Sequence, residues 1–207
     1  MTTQKKAHWE RIYQSKAPVD LTWHQDVPAL SLELIGKTAV SSNQTIIDIG
    51  SGASSLTKQL ADAGFTRLIA VDLSATALQH AQERLGKNAN AVEWIQADIT
   101  TFEPDQKVHL WHDRAVFHFL TEEADRVAYL QTLNNTLHAG GHFIVATFAI
   151  DGPEQCSGLD IIQYDADTMA AEVGEQYILQ ETCNETHRTP WGGEQQFTYF
   201  WFQKQIG

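Results

Sequence analysis

Apolar residues fall along this chain in two rhythms. Short runs rich in β-branched residues, at Thr45–Ile49, Arg67–Asp72, Val92–Gln96, Val108–Asp113 and His142–Phe148, predict strands. Between them, apolar positions three and four apart predict helices around Ser54–Ala63, from Ser74 to Leu85 and over Glu122–His138. Gly64 closes the first of these helices, and Ser74 is placed to cap the second. Strands that alternate with helices pair in parallel, and continuous apolar runs suit strands covered on both faces.

The ends of the chain frame this core. Trp9, Ile12, Tyr13 and Lys16 lie at helical spacing until Pro18, and a second helix follows Pro28 with Leu30, Leu34 and Ile35 turned inward. Beyond the fifth strand come a small helix near Asp165–Val173 and two strands, Tyr177–Glu185 and Gln196–Lys204, joined through Pro190-Trp191-Gly192-Gly193. The expected fold class is α/β: a doubly wound, seven-stranded Rossmann-like sheet, mostly parallel with one antiparallel strand, under a helical N-terminal lid. No repeat, low-complexity stretch or linker divides the sequence, so residues 1–207 read as a single domain. Within it, 1–40 form the lead-in and lid, 41–150 the cofactor-binding half, and 151–207 the substrate-side loop and closing hairpin.

Composition narrows the possibilities. At 207 residues, 43% hydrophobic, the chain can bury one sizeable core. Fourteen Lys and Arg against 26 Asp and Glu leave a formal charge of −12, which argues against a nucleic-acid or anionic membrane partner. A basic protein segment or a small molecule remains compatible with that charge. The start of the sequence has no apolar signal region and no run has transmembrane length. The two cysteines, Cys156 and Cys183, make no disulfide framework, so a reducing cytoplasm is expected. The nine histidines lack zinc spacing, and His109 and His112 would project to opposite sides of a strand, so no metal is expected.

The chemistry concentrates at Ile46-Ile47-Asp48-Ile49-Gly50-Ser51-Gly52. A buried strand ends in Gly-x-Gly, which lets the backbone turn tightly and lie close to a ligand. Asp72 ends the next strand, about 20 residues on, where βαβ nucleotide sites grasp a ribose diol. The third glycine of the dinucleotide fingerprint is replaced by Ser55, and Asp48 would repel a pyrophosphate but suit an ammonium group. A nicotinamide oxidoreductase is therefore disfavoured. Acids close four strands, Asp48, Asp72, Asp98 and Asp113; singly each reads as a turn or cap acid, jointly they point to a ligand.

The pattern Asp48-x-Gly50-x-Gly52, with an acid ending the next strand, resembles the class I S-adenosylmethionine (SAM) methyltransferases. Asp113-Arg114-Ala115-Val116-Phe117 resembles the Asp-Arg-Gly or Asp-Lys-Gly element of two of their groups, the thiopurine S-methyltransferases and the elongation-factor lysine methyltransferases. Trp9-Glu10-Arg11-Ile12-Tyr13, the following Trp23, and Gly193, Phe197 and Phe200–Lys204 extend the likeness over most of the chain. Ala115, in place of the usual glycine, departs from it. The resemblance implies that Gly50, Ser51 and Gly52 lie against the methionine and ribose of SAM, and that Asp72 takes the ribose hydroxyls. It further implies Leu73, Asp98 and Ile99 around the adenine, with Asp113 and Arg114 completing the cofactor set. Trp9, Tyr13 and Trp23 read either as a lid whose faces attract a sulfonium or as ordinary packing of the lead-in helix. His118 and His112 are the candidate general bases beside Asp113, with His118 equally readable as a pocket wall. Phe117, Cys156, His187 and Trp191 are candidate acceptor contacts. The expected activity is methyl transfer to a small thiol, other chalcogen or amine; a protein lysine, or a non-catalytic SAM-binding subunit, are the alternatives.

Overall fold

The computed structural model describes residues 3–52 and 54–206. Helix α1 (Thr3–Ser15) is followed by a 3-10 turn at Pro18–Asp20 and by α2 (Ala29–Lys37). The core then alternates β1 (Ile46–Ile49), α3 (Leu56–Asp62), β2 (Leu68–Asp72), α4 (Ala75–Leu85), β3 (Val92–Gln96), β4 (Val108–Arg114), α5 (Glu123–Thr136) and β5 (Leu137–Phe148). A miniature hairpin, β6 (Gln155–Cys156) and β7 (Leu159–Asp160), precedes α6 (Ala166–Val173) and the long hairpin β8 (Tyr177–Arg188) and β9 (Glu194–Lys204).

Seven strands form one sheet in the order β3-β2-β1-β4-β5-β9-β8, with β9 antiparallel to both of its neighbours and the other pairs parallel. This is the expected α/β architecture. Side-chain alternation divides the core into two layers. Ile47, Ile49, Trp111, Phe143 and Val145 face α5 and α6, whereas Ile46, Leu68, Leu110 and Ile144 face Leu34 and Ile35 of α2 and Leu56 and Leu60 of α3. Strand order reverses between β1 and β4, the place where open α/β sheets leave a crevice at their carboxyl ends. Among the described residues no helix is long and apolar enough to cross a membrane.

Three boundaries differ from expectation. Helix α5 stops at Thr136 and β5 begins at Leu137, so Gly140-Gly141 lies inside a strand and not in a loop before it. The pairing of β4 with β5 jumps from Val108↔Leu137 to Leu110↔His142, and Gly140 at φ +75° absorbs the extra residues of this bulge. The β6–β7 hairpin lies in a stretch expected to be a loop. Ser157 and Gly158, at φ +52° and +74°, form the tight turn that joins strands too short to leave a periodic signal. Strands β8 and β9 also run further toward their turn, to Arg188 and from Glu194.

Candidate active site

The Gly50–Gly52 turn leaves β1 with both glycines in the left-handed region, at φ +62° and +49°. Their bare Cα atoms are required by what faces them. A Cβ on Gly50 would collide with Val116, and one on Gly52 would come within 2.5 Å of the Tyr13 hydroxyl. The Gly52 amide donates to Oδ2 of Asp72 and the Ser74 amide to Oδ1, both at 2.8 Å. Burial nevertheless dominates, raising the Asp72 carboxyl from 3.8 to about 7, with the nearby Asp48 charge adding to it and the amides opposing. Ser74 caps α4 through the Ala77 amide and donates to Oε2 of Glu10 at 2.7 Å, which ties α1 to α4; Thr76 donates to the same carboxylate.

Two hollows meet along this turn, and Tyr13, Trp23, Ile49, Gly50 and Arg114 line both. The first is bounded on one side by Asp72, Leu73, Ala97, Asp98 and Ile99. Trp9, Phe119, Cys156 and Phe197 bound the other. Trp9 packs edge-to-face on Trp23 and Phe119, with centroids 5.7 and 5.1 Å apart, and Tyr13 meets Trp23 at 6.2 Å. The aromatic residues of the lead-in thus cover the strand ends. The second hollow holds Ser31, Asp48, Ser51, Gly52 and His112. Oδ2 of Asp48 and Oγ of Ser51 are buried there without a hydrogen-bond partner among the described residues.

Arg114, at the end of β4, joins the lid to the closing hairpin. Its Nε donates to the Tyr199 hydroxyl at 2.9 Å and its Nη1 to the Trp23 carbonyl at 3.2 Å, while Nη2 pairs with Glu185 at 3.3 Å. The guanidinium also lies 4.3 Å from the centre of the Phe197 ring. Gln25 donates to the other oxygen of Glu185.

The structure therefore gathers Trp9, Tyr13, Trp23, Asp48, Gly50, Ser51, Gly52, Asp72, Leu73, Asp98, Ile99, His112, Arg114 and Cys156 around one cleft. The other expected residues lie elsewhere. Asp113 faces α5, where it accepts from the Tyr129 hydroxyl at 2.7 Å and from the amides of Val116 and Phe117; burial raises its carboxyl to about 6. It is a buried anchor, not a group in the cleft. Phe117 packs fully buried against Tyr129 and Tyr164. His118 is equally buried, wedged between Phe119 and Phe148, and does not line either hollow. Burial lowers its pKa to about 3, which removes it as a base near neutral pH. Trp191 is 74% exposed at the hairpin turn. His187 sits behind Phe197 and meets the Thr22 carbonyl at 2.8 Å, holding the lid segment without reaching the cleft.

Sequence reasoning missed Ser31, Phe119, Glu185 and Tyr199. The first pair carry no motif. The Tyr199 hydroxyl meets Glu185 diagonally across β8 and β9 at 3.4 Å, a contact legible only once the hairpin register, which sets Tyr199 opposite Cys183 and Glu185 opposite Phe197, is known.

Comparison with known proteins agrees with this geometry. Residues 46–141 match a family model described as a methyltransferase domain. The chain is 22% identical over 149 residues to the mouse eEF1A lysine and N-terminal methyltransferase, covering 69% of this chain but only 21% of that protein, so it spans about a fifth of that relative's length. It is 34% identical over 113 residues to the malonyl-[acyl-carrier protein] O-methyltransferase of Anoxybacillus flavithermus, covering 54% and 42% of the two chains. The N-methyltransferase NodS of Bradyrhizobium japonicum, solved with S-adenosyl-L-homocysteine, superposes with a TM-score of 0.71 at 18% identity, over 96% of this chain and all of that one.

Proposed function

We propose that this chain is a class I SAM-dependent methyltransferase that moves the cofactor's methyl group onto a small-molecule nucleophile held at the aromatic end of its cleft. The observation that carries the acceptor reading is the lining of that end. Trp9, Phe119, Cys156 and Phe197 supply apolar walls, and Arg114 supplies a positive charge. Such a wall suits a compact, partly apolar molecule better than a solvated lysine side chain with its own cation.

SAM, when bound, supplies a methyl group already activated on a sulfonium. The residues present fit it. Gly50 and Gly52 leave room where any side chain would collide, and the unpartnered oxygens of Asp48 and Ser51 offer an ammonium acceptor and a hydroxyl for the amino-acid end. Asp72 retains acceptor capacity on each oxygen for the ribose hydroxyls, since each carboxylate oxygen has two lone pairs and one amide. Leu73, Asp98 and Ile99 border the space left for the adenine. The protein's contribution to rate is then alignment and exclusion of water by the Trp9, Tyr13 and Trp23 cover.

No histidine lines the first hollow among the described residues, and burial pushes the Cys156 thiol up to about 11, which keeps it neutral as a wall. An acceptor must then arrive deprotonated or lose its proton to water. Thiols, with an ordinary pKa of about 8.5, meet that condition more easily than alkylamines at about 10.4. The positive Arg114 beside them acts in the same direction.

A protein lysine acceptor is the second reading, favoured by the charge of −12 and by the substrate named for the mouse relative. Purified protein with methyl-labelled SAM and a size-fractionated lysate separates the two. Label in the low-molecular-weight fraction is expected; label confined to macromolecules would overturn the small-acceptor reading.

A further inference from the structure

Behind the Asp48 carboxylate, the second hollow holds a chain of buried polar groups. Nδ1 of His112 lies 2.7 Å from Oδ1 of Asp48, and Nε2 lies 3.0 Å from Oγ of Ser31. The three residues come from β4, β1 and α2, and all are buried: Ser31 0%, His112 2% and Asp48 5% exposed. A carboxylate only accepts, so Nδ1 carries a proton and donates to Asp48, while Nε2 is held by the Ser31 hydroxyl. This assigns one Asp48 oxygen to the protein. The other, Oδ2, stays buried and unpartnered on the wall of the hollow, beside the Gly50–Gly52 turn.

Burying a carboxylate oxygen without a donor is costly, and a fold retains such a group where a ligand satisfies it. We infer that His112 and Ser31 are positioning residues that fix the Asp48 carboxylate so that its free oxygen receives the ammonium group of the cofactor's amino-acid end. Ser31 has no exposed surface, so its hydroxyl anchors the ring and is not a nucleophile. Removing His112 leaves Asp48 free to rotate and leaves a second oxygen in want of a donor. The inference rests on SAM being the cofactor, which the test below checks separately.

The test uses two ligands, S-adenosylhomocysteine and its desamino analogue, titrated by calorimetry into the full chain and its variants. The unmodified protein is expected to prefer the amino form by roughly tenfold or more, the size of one charge-assisted hydrogen bond. His112→Leu should reduce that preference to near unity while leaving the desamino affinity within about threefold, since only the ammonium contact is lost. His112→Asn, which keeps a donor near Asp48, should restore most of the preference. If His112→Leu does not fold, Ser31→Ala carries the same test, with a smaller narrowing of about threefold. Equal loss of both ligands, or an unchanged preference, would overturn the positioning role. Failure of the unmodified protein to bind either ligand would overturn the cofactor reading and the inference with it.

Discussion

The amide of Gly52 donates to the carboxylate of Asp72 at 2.8 Å, joining the turn after β1 to the end of β2. The turn is thereby shaped by the same side chain expected to hold the ribose. Asp72→Ala should weaken S-adenosylhomocysteine binding by at least tenfold and loosen the turn as well. Undiminished affinity by calorimetry would remove Asp72 from the cofactor site.

The same residue sets a pH dependence. An acid whose folded pKa exceeds its unfolded value binds more protons in the folded state, so stability rises as pH falls through the folded pKa. Asp72 at about 7 and Asp113 at about 6 both have ordinary values of 3.8. The ligand-free protein should therefore gain thermal stability from pH 8 toward pH 6, at roughly 2–4 °C per kcal/mol. Cofactor affinity should fall over the same interval, because protonated Asp72 is a poorer acceptor. Asp72→Asn should flatten the affinity profile; a profile that persists in this variant assigns the effect elsewhere.

Ala115 sits at φ +69°, a conformation in which a side chain is strained by about 1–2 kcal/mol. Ala115→Gly relieves that strain and loses part of the gain to chain entropy. The expected net is about 0.5–1 kcal/mol of added stability in urea denaturation. A lower midpoint would mean that the Ala115 methyl, which lines the cleft, packs more favourably than its backbone is strained.

Arg114 is 11% and Glu185 16% exposed at their side chains, so removing either leaves the other poorly solvated. Arg114→Met should cost about 3 kcal/mol and speed proteolysis within residues 21–25, whose carbonyl at Trp23 loses its donor. Adding Glu185→Gln should recover part of the loss. Lysine does not substitute, because it lacks the planar fork that reaches three partners.

His118 is expected to be dispensable for proton transfer. His118→Gln should leave the pH dependence of kcat between 6 and 9 unchanged while lowering stability by about 1–3 kcal/mol through lost core packing. Loss of a kinetic limb on the acidic side would reinstate it as a base.

The fold was legible because buried parallel strands are short, apolar and separated by amphipathic helices. The glycine turn and the acids at 48, 72 and 98 were legible because they stand at the carboxyl ends of strands, the edge where a doubly wound sheet leaves room. Asp113 was misread for a reason of parity. Within β4, Trp111 and Asp113 point toward α5, while His112 points toward α2, and sequence proximity to Arg114 says nothing about which face a side chain takes. His118 and Phe117 were misread because an apolar stretch beside a site reads the same whether it lines a cavity or fills the core behind it. Ser31 and Glu185 were invisible because their partners lie 81 and 71 residues away.

Gln25 meets Glu185 across 160 residues, and Thr22 meets His187 across 165. During synthesis at about 5–20 residues per second, the lid segment waits roughly 8–30 s for the hairpin that clasps it. Residues 22–25 are thus among the last to dock, although α1 before them can already lie on α4 through Glu10 and Ser74. A nascent chain can assemble most of its sheet with the cleft still open along this seam, and the cleft is closed over only when β8 and β9 arrive.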